Sequence, residues 1–216
     1  MVIIDYKKKY HKQIIHSCVE ALKKGKVVAY PTDTCYGLAV DAENITAVKK
    51  LYKVKGRSFK KPIHIIPPTL SYAKKTVAWN KIAYKLAGKF WPGPLTIILD
   101  LRFKDLRFNN LSAGTGSLGI RWPKNRIALD LARVLKRPIT TTSANFSGGL
   151  ECYSAAEIIK QFRSKKHKPD VIINSGKLSK KKHSTLIKIN QDQSIKVLRS
   201  GPVSETKIRK ILNFKF

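Results

Sequence analysis

Residues 27–38, Val-Val-Ala-Tyr-Pro-Thr-Asp-Thr-Cys-Tyr-Gly-Leu, join a short β-branched run to a polar turn. Val27–Tyr30 has the composition of a buried strand, and Pro31 ends its capacity to donate ladder hydrogen bonds. Gly37 permits a tight turn that exposes the two threonine hydroxyls before it. A strand that runs out into hydroxyl-bearing residues is typical of ligand sites in open α/β sheets, although an ordinary turn has the same composition.

Short β-branched runs and amphipathic stretches alternate on both sides of this segment, which predicts a sheet covered by helices. The candidate strands are Val27–Tyr30, Ile63–Ile66, Leu95–Leu101, Leu118–Trp122, Pro138–Thr142, Val171–Asn174, Ser184–Ile189 and Ile195–Leu198. The candidate helices are Lys12–Lys24, Glu43–Lys53, Asn80–Lys89, Arg126–Lys136, one that opens at Ser154 and one after Ser204. Strands outnumber helices, so some neighbours must be antiparallel. The predicted class is α/β (mixed α+β) with a mixed parallel and antiparallel sheet.

Length and composition predict one domain over residues 1–216, because 43% hydrophobic content supplies a core and no linker divides the chain. Apolar stretches fall short of the roughly 20 residues of a membrane span, so we expect a cytoplasmic protein with no membrane partner. Three widely spaced cysteines indicate neither a disulfide framework nor a zinc site. Phe103–Gly116 is predicted as a long polar loop.

The charge is strongly positive: 44 Lys and Arg against 13 Asp and Glu give a formal +31 at pH 7. Such a charge attracts nucleic acids, nucleotides and phosphates. The lysines are spread along the chain, however, as in a lysine-rich proteome, and no RNA-recognition signature accompanies them. Charge alone therefore supports contact with RNA without specifying its mode.

Two cations near the end of the second predicted helix are candidate phosphate ligands. Lys55 and Arg57 flank Gly56 in a predicted loop, where they could clamp a triphosphate. The alternative is that they are helix C-terminal cations that complement the helix dipole.

Three further clusters follow predicted strands or precede them. Phe90–Thr96 is architectural, with an aromatic pair that packs and a Pro-Gly-Pro corner. Arg121 lies at a strand end two residues before a proline, and Thr140–Gly148 offers hydroxyl and amide donors to a phosphate or ribose. Taken singly, the hydroxyl-rich run is also compatible with an ordinary turn.

Together these segments resemble the successive hallmarks of the YrdC/TsaC family of threonylcarbamoyl-AMP synthases. The hallmarks appear in order as Pro31–Leu38, Lys55-Gly56-Arg57 with Pro62 beyond it, Trp91–Thr96, Arg121-Trp122-Pro123, Thr142–Gly148, Ser184-Thr185 and Leu198–Gly201. One such motif is weak evidence for the family, but the ordered set of motifs is specific to it.

The resemblance implies a twisted mixed sheet with flanking helices around a positively charged cavity that binds ATP and L-threonine. It implies formation of threonylcarbamoyl-AMP and pyrophosphate from threonine, bicarbonate and ATP. The product would feed a transferase complex of the TsaD/TsaB/TsaE type, which modifies the adenosine next to the anticodon in tRNAs that read codons beginning with A. The tRNA itself is a further candidate partner.

The same resemblance assigns the site residues. Lys55 and Arg57 are the implied catalytic residues. The implied ATP ligands are Lys55, Arg57, Ser117, Ser143, Asn145, Ser184 and Arg199. The implied threonine ligands are Thr34, Arg121 and Thr141. Mg²⁺ is expected to arrive with ATP, without a metal site on the protein.

The chain departs from the family pattern at three places. Longer members often carry a proline after the arginine of the lysine motif, where this chain has Ser58. Longer members often carry a histidine where this chain has Ile66, and His64 lies two residues earlier on the same strand face, as a substitute or as a core or edge histidine. The extra C-terminal domain of longer members is also expected to be missing. The alternatives are a non-catalytic double-stranded RNA or tRNA-binding module and a carbamoyl-adenylate-forming domain of the HypF type.

Overall fold

The computed structural model describes residues 1–102 and 105–212. Within these residues one ten-stranded sheet has the order β1-β8-β2-β3-β7-β4-β6-β5-β9-β10. Its strands are β1 (Val2–Asp5), β2 (Val28–Tyr30), β3 (Gly37–Ala39), β4 (His64–Ile66), β5 (Leu95–Asp100), β6 (Ser117–Arg121), β7 (Ile139–Ser143), β8 (Val171–Asn174), β9 (Thr185–Ile189) and β10 (Ile195–Arg199). Parallel pairs such as β4–β6 and β5–β9 mix with antiparallel pairs such as β4–β7 and β5–β6, which confirms the predicted mixed sheet.

The helices are α1 (His11–Lys23), α2 (Ile45–Lys55), α3 (Leu70–Thr76), α4 (Lys81–Phe90), α5 (Asn109–Ser112), α6 (Arg126–Leu135), α7 (Ala155–Phe162) and α8 (Glu205–Leu212). Side-chain caps fix several starts, because an Asn or Ser oxygen accepts an otherwise unpaired amide of the first turn. Asn44 accepts from Ala47, and Ser154 accepts from Glu157. The Glu157 carboxylate accepts from the amide of Tyr153, one residue before the cap.

The helices cover the two faces of the sheet unequally. One face packs a core that includes Leu51 of α2, Leu86 of α4, Phe162 of α7 and Ile208 of α8. The other face has a smaller core against α1 and α6. Side chains on the helix-poor face of β5 and β9, such as Ile98, stay half-exposed while their alternate neighbours are buried. The sheet therefore keeps an open area on its helix-poor face.

Asp130 of α6 fastens α1 to α6. Its carboxylate accepts from His11 Nε2 at 2.8 Å, from Arg133 at 3.1 Å and from Arg126 at 3.3 Å. Burial raises the pKa of Asp130, but the hydrogen bonds from these three side chains outweigh burial and leave the pKa below its ordinary value.

Replacing Asp130 by asparagine should lower the free energy of unfolding by about 1–2 kcal/mol near neutral pH, because three charge-assisted hydrogen bonds weaken. A carboxyl with a lowered folded-state pKa stabilises the fold above its unfolded pKa of about 3.9 and loses that contribution as the pH falls through the folded value. Urea titrations at pH 7 and below pH 4 should therefore show the difference shrink in acid. A constant difference across this range would contradict the assignment.

Several elements differ from the sequence predictions. Strands β1 and β3 and helices α3 and α5 were not predicted. The loop predicted for Phe103–Gly116 is wrong in part, because residues 106–112 form two short helical turns that bury Phe108 and Leu111 in the core. Residues 103 and 104 of that prediction lie outside the described residues.

Among the described helices, none is both long and apolar enough to cross a membrane. The cysteines Cys18, Cys35 and Cys152 are buried and free.

Candidate active site

A cavity of about 110 Å³ lies on the open face of the sheet. Strand register explains its floor: Thr141 is paired with His64 across β7 and β4, and Thr96 with Arg121 across β5 and β6. Directly opposed residues point to the same face. The cavity is lined by Thr32, Cys35, Tyr36, Gly37, Arg57, Pro62, Ile63, His64, Thr96, Arg121, Thr141, Thr142, Ser143, His183, Ser184 and Arg199. A neighbouring cleft of about 450 Å³ shares His183 and Arg199 with it.

Arg121 ties the loop after β2 to the cavity floor. Its Nη2 donates to the Asp33 carboxylate and to the Thr34 hydroxyl, each at 2.7 Å. Thr34, predicted to bind threonine, therefore contacts Arg121 and does not itself line the cavity. The Arg121 Nε is buried and has no hydrogen-bond partner among the described residues. An unpaired buried donor costs about 1–3 kcal/mol, a cost that an acceptor on a ligand would remove.

Arg199 and the hydroxyls of Thr96 and Ser184 form a second polar cluster in the cavity. The Arg199 guanidinium donates to the Ser184 carbonyl at 2.9 and 3.1 Å and to the Ser184 hydroxyl at 3.2 Å. Thr96 Oγ1 lies 2.8 Å from Ser184 Oγ. Strand β10 thus presents its last residue to the cavity through contacts with the residue before β9.

Close backbone packing around Gly201 explains why the motif Leu198–Gly201 ends in glycine. A Cβ atom there would lie 2.4 Å from the carbonyl oxygen of His183 and 2.5 Å from the amide nitrogen of Thr185, both backbone atoms. Only glycine lets the chain after Arg199 approach the residues around Ser184 this closely.

Replacing Gly201 by alanine should push Arg199 away from Ser184 and lower, by about tenfold or more, the affinity for the ATP that the family resemblance implies, because the residues that line the cavity must shift. The measurement is ATP titration of the variant beside Gly88→Ala, whose Cβ would meet no atom within 4 Å. Equal ATP affinity in Gly201→Ala and the unaltered protein would contradict this account of the motif.

Arg57 reaches the cavity from the loop that follows α2. Its Nε donates to the Lys61 carbonyl at 3.3 Å and its Nη2 to the Pro62 carbonyl at 3.0 Å. These bonds orient the guanidinium and use two of its five N–H groups. The remaining donors can serve an anion.

Lys55 is the last residue of α2, which corrects the prediction that it lies in a loop. Its side chain is buried, and Nζ donates to the Ser143 carbonyl at 2.6 Å, to the Asn145 carbonyl at 2.9 Å and to Asn145 Oδ1 at 3.1 Å. Burial and the nearby Arg57 lower the pKa of Lys55 to about 7. The ammonium thus holds the loop after β7 from behind, and Gly56 in left-handed conformation ends the helix against Phe146.

The structure places the remaining predicted site residues as follows. Ser143 and Thr141 line the cavity, and Ser143 Oγ donates to Asn145 Oδ1 at 2.6 Å. Asn145 belongs to the supporting loop and does not line the cavity. Ser117 lies on the same face of β6 as Arg121 but four residues away, about 13 Å along the strand, and hydrogen-bonds to Thr115. The binding roles assigned to all these residues stay predictions.

The cavity also contains residues that sequence reasoning did not assign to the site: Cys35, Thr96 and His183. Cys35 and Thr96 belong to motifs that were recognised in the sequence, so membership of those motifs was the available signal. His183 precedes the Ser184-Thr185 pair and carried no signal of its own.

Positive charge dominates the electrostatics of the cavity. Burial, followed by Arg199, Arg57 and Arg121, lowers the pKa of His64 to about 3, so this imidazole is neutral at physiological pH. His64 Nδ1 is buried and has no partner within the described part of the chain. Three guanidinium groups around a neutral floor make a site that favours anions.

No cluster of three His, Cys, Asp or Glu side chains that could hold a metal occurs within residues 1–102 and 105–212. The donors around the cavity are cationic or hydroxyl-bearing, which suits phosphate and carboxylate oxygens better than a metal cation.

An open mixed sheet that carries an arginine-lined cavity defines an anion-binding α/β protein. A family model named for Sua5, YciO and YrdC and described as "Telomere recombination" matches residues 20–201. The chain belongs to this Sua5/YciO/YrdC family.

Relatives and solved structures agree with this assignment. A Methanocaldococcus jannaschii protein is 35% identical over 213 residues, which cover 95% of this chain and 94% of the relative. The threonylcarbamoyl-AMP synthase of Pyrococcus abyssi is 32% identical over 98% of this chain, which spans 61% of that protein. The P. abyssi Sua5 structure complexed with L-threonine has a TM-score of 0.89 at 30% identity over 98% of this chain and 61% of that one. A full-length HypF structure at 21% identity, with a TM-score of 0.72 over 90% of this chain and 31% of that one, shares the fold.

Proposed function

We propose that this protein is a threonylcarbamoyl-AMP synthase, a nucleotidyltransferase that makes threonylcarbamoyl-AMP and pyrophosphate from L-threonine, bicarbonate and ATP. The observation that carries the proposal is the presence of three guanidinium groups, those of Arg57, Arg121 and Arg199, around one cavity. The carboxylate of an amino acid would pair with Arg121, and Asp33 holds the guanidinium in place for it. The name of the P. abyssi relative and its threonine complex support the same assignment.

Other polar residues that line the cavity suit a triphosphate. Arg57 and Arg199 provide charge, and the hydroxyls of Ser143 and Ser184 provide neutral donors. Lys55 and Asn145 support the loop that carries Ser143, and so act behind it. Mg²⁺ enters with ATP and neutralises phosphate charge when bound, while the side chains hold the triphosphate.

The chemistry needs positioning more than a strong nucleophile. The threonine amine and bicarbonate give a carbamate and water. A carbamate oxygen then bonds to the α-phosphorus of ATP, and the bond to the β-phosphate bridging oxygen breaks with its electron pair leaving on pyrophosphate. Because both reactants are anions, guanidinium groups fixed in advance lower the barrier by holding them together and by stabilising the charge that develops on the phosphate.

The product would serve a threonylcarbamoyl transferase complex that modifies tRNA in the cytoplasm. Direct tRNA contact is a separate proposal that rests on the net charge of +31 alone. The HypF-type alternative shares the fold, but it would use carbamoyl phosphate. Substrate choice therefore separates the two.

Calorimetric titration tests the amino acid site directly. We expect saturable binding of L-threonine, weaker binding of D-threonine and no effect of carbamoyl phosphate on either. Binding of carbamoyl phosphate with no response to L-threonine would favour the HypF-type activity, and binding of neither with retained tRNA affinity would favour the RNA-binding module.

A further inference from the structure

Cys35 of the Pro31–Leu38 motif and two side chains outside the family motifs, Glu151 and His183, form a connected group at the cavity. His183 Nε2 is ion-paired with Glu151, and His183 Nδ1 lies 4.0 Å from the Cys35 sulfur. Cys35 and His183 both line the cavity, and Glu151 and His183 line the adjoining cleft. A carboxylate, an imidazole and a thiol are therefore aligned from the cleft into the cavity.

We propose that His183, oriented by Glu151, is the base that removes a proton from the amino group of the amino acid substrate before the carbamate forms. The inference rests on the proposed function and adds a residue to it. Glu151 is a positioning residue in this arrangement, because it reaches the substrate only through the imidazole.

The geometry fixes which ring nitrogen would act. A carboxylate accepts hydrogen bonds, so Glu151 selects the tautomer with the proton on Nε2 and leaves a lone pair on Nδ1. Nδ1 is the nitrogen that faces Cys35 and the cavity. Arg121 and His183 line the same cavity, so the proposal places the substrate carboxylate at the Arg121 guanidinium and the substrate amino group toward His183.

Charge around His183 suits a base that is neutral at rest. Burial lowers the pKa of His183, Arg199, Arg121 and Lys55 lower it further, and Glu151 opposes them. The same cations also lower the pKa of an ammonium group held beside them, which makes the proton easier to remove. Burial raises the pKa of the Cys35 thiol. Cys35 therefore stays protonated and is a weak donor and spacer, with no role as a nucleophile.

The step balances without a further reagent. Nδ1 takes a proton from the substrate ammonium, which leaves a free amine and an imidazolium paired with Glu151. The amine then attacks the carbon of bicarbonate, water leaves, and the carbamate goes on to react with ATP. The imidazolium returns its proton to solvent through the adjoining cleft.

The test uses the reaction in both directions. Replacing His183 by glutamine should lower threonine-dependent adenylate formation about a hundredfold while the dissociation constant for threonine changes little. The reverse reaction, ATP formation from threonylcarbamoyl-AMP and pyrophosphate, breaks the adenylate without needing a base for the amine, so it should keep its rate. Added imidazole should restore forward activity to His183→Gly. The control is His167→Gln, an exposed histidine outside the cavity, which should behave like the unaltered protein.

Each other outcome overturns the proposal. Full forward activity in His183→Gln would show that no base is needed there, and equal losses in both directions without imidazole rescue would show that His183 only shapes the site. Absence of adenylate formation in the unaltered protein would instead refute the proposed function, so the two failures are distinguishable.

Discussion

Replacing Arg57 by alanine is expected to lower adenylate formation about a hundredfold, equivalent to about 3 kcal/mol of transition-state stabilisation. Arg57 lines the cavity, and its guanidinium makes hydrogen bonds only to two backbone carbonyls among the described contacts. Those bonds lie at the half-buried end of the loop, so the free energy of unfolding should fall by no more than about 1 kcal/mol.

Steady-state turnover and urea denaturation of Arg57→Ala measure the two effects separately. Arg163→Ala is the matched control, because Arg163 is exposed and lies outside the cavity. Turnover in Arg57→Ala equal to that of the control would refute the assignment of Arg57 to the phosphates.

Replacing Lys55 by methionine is expected to damage the fold as well as the activity. The change leaves the carbonyls of Ser143 and Asn145 and the Asn145 side-chain oxygen without their shared donor in a buried place. The free energy of unfolding should fall by about 2–4 kcal/mol, and turnover should fall with it because the loop that carries Ser143 loses its anchor. The two variants thus distinguish two roles: Arg57→Ala should lose turnover alone, as expected for a ligand contact, and Lys55→Met should lose stability and turnover together, as expected for a structural anchor.

Urea denaturation of Lys55→Met beside Lys53→Met provides the comparison, since Lys53 lies on the same helix and is exposed. Lys53→Met should unfold at nearly the urea concentration of the unaltered protein. A Lys55→Met protein that is fully stable yet inactive would support the direct phosphate contact that the sequence motif implied.

The sequence predicted most strands and helices because their apolar periods are long enough to be read locally. It missed β3, since Gly37–Ala39 is three residues long and belongs to a motif that reads as a turn. Its identity as a strand comes from pairing with β2 and β7, which only the folded chain shows. Strand β1 was missed because Val2–Asp5 is only four residues long and runs into the charged segment that begins at Lys7, and its pairing with β8 appears only in the folded chain.

The candidate site was predictable to the extent that its residues belong to motifs. The spacing in the sequence could not show that Lys55 and Arg57 have different positions, because Gly56 made both residues appear to lie in a loop. In the fold, α2 extends through Lys55 and turns its side chain under the loop after β7, while Arg57 emerges on the cavity side. Ser117 shows a different error: it lies four residues before Arg121 in the sequence, but the fold does not place it in the cavity.

His183 could not have been predicted, because its partners Cys35 and Glu151 are far apart in the sequence and meet only in the folded chain. Such a constellation depends on tertiary structure and leaves no local spacing to recognise.

Turnover of the purified protein with ATP, Mg²⁺ and bicarbonate, with and without L-threonine, tests the central claim most directly, with pyrophosphate and the adenylate product followed by mass spectrometry. We expect pyrophosphate release that requires both threonine and bicarbonate and that yields a product with the mass of threonylcarbamoyl-AMP. Absence of turnover, or pyrophosphate release that is independent of threonine, would contradict the claim.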